Sequence, residues 1–343
     1  MPPGALTSVG IGDDSAVVAA PSGSVVAAVD LLIEGRHFRR EWSSAYDVGV
    51  KAAARSLADI AAMGAVSTAL LVALAAPGSL PARWATDLAE GLAAEATRAG
   101  AGIVGGDTAR ADAITLSVTA LGDLEHRRPV LRSGARPGDI VAVAGPLGHS
   151  AAGLALLTAG AHVDSAQAPA PQAPAPAPPP AAPRSSAALR SPAPALPLPI
   201  ALATLVTAHV RPAPPYDAGP EAARLGATAM IDVSDGLLAD LGHVAAASGV
   251  RVNLNRSMLE PAAALREAAA FLAAPKPAFQ PQAAPSPLDW MLTGGEDHSL
   301  VATFPPATVL PSRWRLIGEV SEGAGVTVDG APHEGPAGWQ HFR

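Results

Sequence analysis

The residues of this chain best suited to chemistry are aspartates that end apolar segments or interrupt them. A carboxylate in apolar surroundings is costly unless it is paired, hydrogen-bonded or bound to a metal. Each aspartate taken alone is also explained by a helix cap or a turn. Together they predict a shared cation site. The aspartates in question are Asp13, Asp14, Asp30, Asp107, Asp232 and Asp235.

Magnesium is the cation that this set of oxygen ligands favours. It binds octahedrally, retains waters and is commonly shared between one or two carboxylates and the phosphates of a substrate. A zinc or iron site fits less well, because the nine histidines are scattered and none is spaced four residues from another. The aspartates therefore predict magnesium chemistry on a phosphorylated substrate.

Two glycine-rich turns, at residues 145–150 and 294–296, could present backbone N–H groups to phosphate. Such turns are weak evidence, since ordinary loops look alike. The sequence contains no GxxxxGK[ST], and no GxGxxG precedes a predicted helix. These absences exclude a P-loop nucleotide site and a Rossmann dinucleotide site.

The composition narrows the class of protein. The 343 residues carry a net charge of −7, no cysteine and only two lysines, Lys51 and Lys276. A disulfide scaffold, a thiolate metal site and a general nucleic-acid partner are therefore not expected. The long uncharged runs are broken by proline and glycine, and the first ten residues show no signal-peptide pattern. We accordingly predict a cytoplasmic protein with no membrane span.

Strand and helix patterns alternate along the chain and predict an α/β or α+β protein with mixed sheets. Ser43 or Ser44 is expected to cap the first helix, Gly64 to end it, and Ser234 to cap a later helix. The predicted strands are 24–33, 102–104, 114–121, 139–144, 227–233, 250–254 and 299–304. The predicted helices are 47–63, 80–98, 150–158 and 236–248.

Two proline- and alanine-rich segments, 164–199 and 273–287, interrupt this pattern. Their composition contains too few large apolar side chains to form a core. We predict that both are disordered insertions or spacers, and that 167–197 can be shortened with little effect on activity.

Seven motifs follow one another along the chain: GIGDDSA (10–16), DLLIEGRHF (30–38), SLADIAAMG (56–64), GGDT (105–108), RSGARPGD (132–139), IDVSDG (231–236) and GGED (294–297). In this order they resemble the motifs of thiamine-monophosphate kinases, which belong to a superfamily that includes aminoimidazole ribonucleotide synthetase. The resemblance extends from about residue 9 to the segment 338–342 and omits only the two proline-rich segments. One motif alone would be weak, whereas seven in register are highly specific.

The resemblance implies ATP-dependent phosphorylation of thiamine monophosphate to thiamine diphosphate, with several magnesium ions. Positions that match the family's metal-binding carboxylates are Asp14, Asp30, Asp59, Asp107, Asp232 and Asp235. ATP contacts are matched by Arg132, Ser234 and Asp107, and contacts to thiamine phosphate by His37, Glu296 and Trp339. No catalytic residue beyond these metal and phosphate ligands is expected, because phosphoryl transfer depends mainly on positioning and charge neutralisation.

The same resemblance implies a two-domain fold like that of aminoimidazole ribonucleotide synthetase. It predicts an N-terminal domain at 1–124 that binds ATP and metal, and a C-terminal domain at 132–343. In the family, N-terminal domains pair across a dimer axis, so we expect a homodimer, with no nucleic-acid or membrane partner.

Two other functions stay open. One is an ATP-dependent ligase like aminoimidazole ribonucleotide synthetase, although the HF, GGED and GWxHF segments match the kinase better. The other is a nucleotide- or thiamine-phosphate-binding protein without catalysis. It is motivated by the nine residues ahead of Gly10, and by Ala28 and Val29, which stand where family members usually carry hydroxyl side chains. We predict that hydroxyls restored at both positions would lower the magnesium requirement, and that an unpartnered one would destabilise the fold.

Overall fold

The computed structural model describes residues 5–11, 15–161, 198–274 and 286–339. Asp13, Asp14, nearly all of the predicted insertion at 164–199 and most of the one at 273–287 lie outside these residues. In the described residues no helix is long and apolar enough to cross a membrane.

The N-terminal half consists of one four-stranded sheet covered on one face by two helices, preceded by a short hairpin. Its sheet has the order β3-β6-β4-β5, in which only the β4–β5 pair is parallel. The elements are β1 (Thr7–Val9), β2 (Val17–Val18), β3 (Val26–Ile33), α1 (Ala45–Ala62), β4 (Val66–Ala76), α2 (Ala82–Arg98), β5 (Gly102–Arg110) and β6 (Thr115–Asp123).

Helix α1 begins at a capping box. The Ser44 side chain accepts from the Asp47 backbone N–H, and the Asp47 side chain accepts from the Ser44 backbone N–H. Gly49 of α1 and Gly91 of α2 let the two helices approach closely. A Cβ at Gly91 would lie 2.1 Å from the Tyr46 carbonyl oxygen. The absence of a side chain at these two positions thus allows tight contact between α1 and α2.

The C-terminal half is built around a larger mixed sheet with the order β13-β12-β9-β11-β7-β10-β8. Within it only the β12–β9 pair is parallel. The strands are β7 (Ile140–Ala144), β8 (Ala229–Asp232), β9 (Arg251–Leu254), β10 (Leu300–Phe304), β11 (Trp314–Ser321), β12 (Gly325–Val328) and β13 (Ala331–Pro332). The helices are α3 (His149–Thr158), α4 (Ile200–Val210), α5 (Ala218–Arg224), α6 (Leu237–Ser248), α7 (Ala263–Ala273) and α8 (Pro287–Thr293).

Two hydrophobic cores hold these layers together. The first extends from the four-stranded sheet through α1 and α2 to one face of the seven-stranded sheet, where it includes Ala302 and Phe304. The second lies on the other face, where Val301 packs with residues of α3, α4 and α6 to α8. The alternation along β10 shows that both faces of the larger sheet are covered. Helix α1 therefore lies between the two sheets, which places its side chains next to both halves of the chain.

The fold confirms the expected α/β architecture with mixed sheets. Strand β4, at the centre of the smaller sheet, was not predicted, because most of its residues are alanine and leucine and only a few are of the β-branched types that are enriched in strands. Helix α4 was missed because the prolines before it resemble the preceding insertion. The expectation that Ser234 caps α6 is wrong: the cap position is Gly236.

Candidate active site

A loop formed by residues 294–298 lies against the turn that follows β8. The Glu296 N–H donates to the Ser234 carbonyl at 2.8 Å, and the His298 N–H donates to the Val233 carbonyl at 2.9 Å. Gly236 makes this approach possible, because its φ is +128° and a Cβ there would lie 2.7 Å from the Thr293 carbonyl oxygen. The backbone therefore fixes the two segments side by side.

Glu296 joins this loop to helix α1. Its Oε2 lies 2.5 Å from the Lys51 ammonium, and its Oε1 accepts a hydrogen bond from the Arg55 guanidinium. Lys51 is only 1% exposed. Burial alone would raise the pKa of Glu296, but Lys51 and Arg55 outweigh it and hold that pKa well below its ordinary value. Both carboxylate oxygens of this predicted substrate contact are thus already paired with cations.

Two of the predicted metal-binding aspartates, Asp30 and Asp232, lie near a third, Asp59, beside this ion cluster. Asp59 follows Arg55 by one helical turn of α1, Asp30 lies on β3 with an oxygen 3.8 Å from Arg55, and Asp232 ends β8. Burial, with repulsion from the Asp232 and Asp30 carboxylates, raises the pKa of Asp59 to about 8. Asp59 is therefore close enough to Asp232 and Asp30 for their charges to act on it.

Asp240, which the sequence motifs did not single out, holds the turn after β8 that carries Asp235. Asp240, one turn into α6, accepts hydrogen bonds from the backbone N–H groups of Ser234, Asp235 and Gly236 at 3.0, 3.1 and 3.0 Å. Burial, with repulsion from Asp232 and Asp235, raises the pKa of Asp240 to about 7. The signal for this role was an acidic residue in the first turn of a helix that follows a glycine.

Asp107 lies on the opposite face of the smaller sheet from Asp30. The register pairs Asp107 with Ala73, and Ala73 with Ser117, whereas Asp30 pairs with Val118. Directly paired residues share a face, and neighbouring residues alternate. Within one chain the structure therefore does not bring Asp107 to the Asp30 side of the sheet.

A cavity of about 380 Å³ lies between α2 and strands β4 and β5, close to Asp107. Its walls are mainly apolar, Thr108 contributes a hydroxyl group, and Asp107 borders the cavity although its side chain lies on the other face of the sheet. The volume falls within the usual range for small-molecule sites.

The other predicted contacts occupy different positions around the turn. Arg132 lies in a short 3₁₀ turn near Asp59. Its positive charge partly offsets the rise in the pKa of Asp59 that burial and the other carboxylates cause. The Trp339 backbone N–H donates to the Asp235 carbonyl at 2.9 Å, while its side chain is 66% exposed. His37 accepts the Ile33 N–H on Nδ1 at 3.0 Å, so a neutral ring carries its proton on Nε2.

Only one of the two positions expected to have lost a hydroxyl ligand faces the carboxylates. Ala28 shares the face of Asp30, since the two are separated by two residues on β3. Val29 is 62% exposed on the other face. The expectation that a hydroxyl at position 29 would stand beside Asp30, or be buried, is therefore wrong.

The carboxylates of the described site residues supply the oxygen ligands that a magnesium ion prefers. No three of the described acidic, histidine or cysteine side chains converge on a single point, and Asp14 lies outside these residues. Magnesium, however, commonly uses one or two carboxylates and fills its shell with water and phosphate oxygens. The repulsion that acts on Asp59 from Asp30 and Asp232 is what a divalent cation would relieve.

Known proteins resemble the chain over most of its length. The family model for the AIR synthase related protein, N-terminal domain, matches residues 12–124. A thiamine-monophosphate kinase of Mycobacterium tuberculosis is 44% identical over 342 residues, which cover 98% of this chain and 87% of the relative.

Two solved structures share the fold. The crystal structure of a thiamine-monophosphate kinase from Stenotrophomonas maltophilia has a TM-score of 0.75 and 30% identity, covering 95% of this chain and 92% of that one. AaThiL complexed with AMPPCP and TMP has a TM-score of 0.74 and 30% identity, with coverage of 97% and 92%.

Proposed function

Because the chain belongs to the thiamine-monophosphate kinase family, we propose that it transfers the γ-phosphoryl group of ATP to thiamine monophosphate and forms thiamine diphosphate. The observation that carries this function is that Asp30 and Asp232 lie near Asp59. These residues belong to a chain that matches a thiamine-monophosphate kinase over 98% of its length. Since the reaction consumes ATP, we also propose that it takes place in the cytoplasm.

The reaction requires little covalent chemistry from the protein. The acceptor is a phosphate monoester, whose second pKa is about 6, so it is largely ionised near neutral pH without a protein base. The main obstacle is repulsion between the acceptor and the phosphates of ATP. Positioning and charge neutralisation account for most of the rate in such transfers.

Asp30, Asp59 and Asp232 would hold magnesium, with Asp235 and Asp14 as the further expected ligands. When bound, magnesium neutralises the phosphate charge and orients the reacting groups. Arg132 would add positive charge to the ATP phosphates, since it already acts on Asp59. The sharing of one site by carboxylates and phosphates explains why an acidic protein can use these substrates.

In this proposal Glu296 has a structural role in addition to any contact with the substrate. Lys51 and Arg55 occupy both of its oxygens, so Glu296 keeps two cations beside the carboxylates and ties the 294–298 loop to α1. His37 and Trp339 would then hold the thiamine part of the substrate. Trp339 suits this role because an exposed indole beside the Asp235 turn offers a flat apolar surface.

For the nucleotide we propose contacts from Ser234, Arg132 and Asp107. The cavity between α2 and strands β4 and β5 would take the adenine base, because its volume and mainly apolar lining suit a flat heterocycle. Ala85→Trp would fill this cavity. We expect it to raise the KM for ATP several-fold and leave the KM for thiamine monophosphate nearly unchanged.

We further propose that two copies pair through the smaller sheet. Val29, Leu31 and Leu71 are exposed, and the register places them on the face that α1 and α2 leave uncovered. Exposed apolar side chains on one sheet face are typical of an interface. Sedimentation analysis should show a dimer, and Val29→Glu should dissociate it.

The decisive experiment is turnover with ATP and thiamine monophosphate, followed by chromatography of the thiamine diphosphate and ADP formed. Equal amounts of both products are expected. ADP formation that depends on a different acceptor would refute the proposal. Binding of both substrates without product would support a protein that binds but does not catalyse.

A further inference from the structure

His298 is a buried side chain to which neither the sequence motifs nor the proposed reaction gives a role. Its side chain lies beside the end of β8, where Nδ1 is 3.1 Å from the Asp232 Oδ2. The residue is 2% exposed. A carboxylate oxygen is an acceptor, so Nδ1 is the protonated nitrogen and donates to Asp232.

The residues before His298 are fixed to two other elements. Glu296 is held on α1 by Lys51 and Arg55, as described above. Asp297 accepts from the Gly148 N–H at 2.5 Å and from the Ser150 N–H at 2.8 Å, at the start of α3. Three consecutive side chains therefore contact α1, α3 and the end of β8.

The backbone of His298 is equally constrained. Its φ is +51°, in the left-handed region that a non-glycine residue rarely adopts. Its N–H donates to the Val233 carbonyl, one residue beyond Asp232. Such a conformation persists only where surrounding contacts determine it. The imidazole consequently reaches Asp232 from a rigid support.

The hydrogen bond occupies one oxygen of Asp232 and leaves the other for a different partner. A carboxylate that binds a metal needs its orientation fixed, and hydrogen bonds from neighbouring residues commonly do this. Nε2 of His298 is buried and has no hydrogen-bond partner among the described residues. Nδ1 is therefore the ring atom through which this part of the protein holds the side chain.

We propose that His298 is a positioning residue that orients the Asp232 carboxylate toward a divalent cation. This inference rests on the proposed function, in which Asp232 holds magnesium. It assigns to His298 no contact with substrate and no proton transfer. Its effect should therefore appear in the magnesium requirement and not in the affinity for thiamine monophosphate.

The test compares three variants of the full chain. His298→Phe keeps the ring volume and removes the donor, His298→Asn keeps an N–H near the position of Nδ1, and Asp232→Asn removes a charge from the site itself. We expect His298→Phe to raise the magnesium concentration for half-maximal rate by about 10- to 100-fold. His298→Asn should restore much of this loss, and the KM for thiamine monophosphate should change less than twofold.

A second measurement does not depend on turnover. The melting temperature of nucleotide-free protein is recorded against Mg²⁺ concentration, since a ligand that binds the native state raises it. The midpoint of this rise should move to higher Mg²⁺ in His298→Phe and return toward the wild-type value in His298→Asn. If His298→Phe does not fold, the comparison of wild type with His298→Asn and His298→Gln replaces it. Gln places its amide near Nε2 and should show the larger shift.

Two outcomes would overturn the inference. One is a lower melting temperature in His298→Phe with an unchanged magnesium midpoint, because a packing role alone produces that result. The other applies where His298→Gln replaces His298→Phe, and it is an equal magnesium midpoint in His298→Asn and His298→Gln. If Asp232→Asn itself leaves the magnesium requirement unchanged, the metal assignment of the proposed function fails, and the inference fails with it. A shift in Asp232→Asn without one in His298→Phe refutes only the role of His298.

Discussion

Replacing Lys51 by Met tests whether the ion cluster between α1 and the 294–298 loop stabilises the protein. Lys51 is almost completely buried, and its ammonium lies 2.5 Å from the largely buried carboxylate of Glu296. Removing one partner of a buried pair costs about 3–5 kcal/mol, because the other charge is left uncompensated. Because Arg55 still contacts Glu296 in the variant, we expect Lys51→Met to lower the free energy of unfolding by about 3 kcal/mol, at the lower end of this range.

The chain offers a matched control. Arg40 and Glu34 form an ion pair with the same 2.5 Å separation, but Arg40 is about half exposed. Exposed pairs contribute about 0–1 kcal/mol. Arg40→Met should therefore change the free energy of unfolding by less than 1 kcal/mol, which isolates burial as the cause of the difference between the two variants.

Urea denaturation, monitored by circular dichroism at several pH values, measures the free energy of unfolding of both variants. The pKa of Glu296 is lower in the folded protein than in the unfolded chain, so its stabilisation is present above the ordinary glutamate pKa of about 4.3. That stabilisation is lost as the pH falls toward the lower folded value. The difference between wild type and Lys51→Met should consequently shrink below about pH 4. The reasoning would be refuted if Lys51→Met lowered the free energy of unfolding by less than about 1 kcal/mol at pH 7. It would also be refuted if the difference between wild type and Lys51→Met stayed constant as the pH falls below about 4.

Three further results are expected. Asp232→Asn should abolish turnover in the assay with ATP and thiamine monophosphate while the circular dichroism spectrum stays native, and full turnover would contradict the assignment of Asp232 to the metal. Ala28→Ser should lower the magnesium concentration for half-maximal rate, whereas Val29→Thr should not, because only position 28 shares the face of Asp30; equal effects would contradict this orientation. Phe304→Ala should cost about 3–5 kcal/mol in urea denaturation, since Phe304 is fully buried with its ring centroid 5.2 Å from that of Trp314.

Sequence patterns were sufficient where local signals agree with the tertiary structure. The capping serine before α1, the strand that ends at Asp232 and the glycine after α6 follow from the spacing of apolar residues and from turn chemistry. The aspartates in apolar segments predicted the arrangement of carboxylates only in part: Asp30 and Asp232 lie near Asp59, which was identified from the family motifs alone. The motifs then indicated the family before any contact was known.

Only the tertiary structure decided how these residues are distributed in space. It placed Asp107 on the far side of the smaller sheet and Val29 on its exposed face, since strand register depends on pairing between segments distant in the sequence. It also revealed the contacts of Lys51 with Glu296 and of His298 with Asp232. In each contact the partner is distant in the sequence, so that local patterns do not identify it. A sequence gives the residue type and the local period, but the free energy of burying a charged or polar group depends on which distant group meets it.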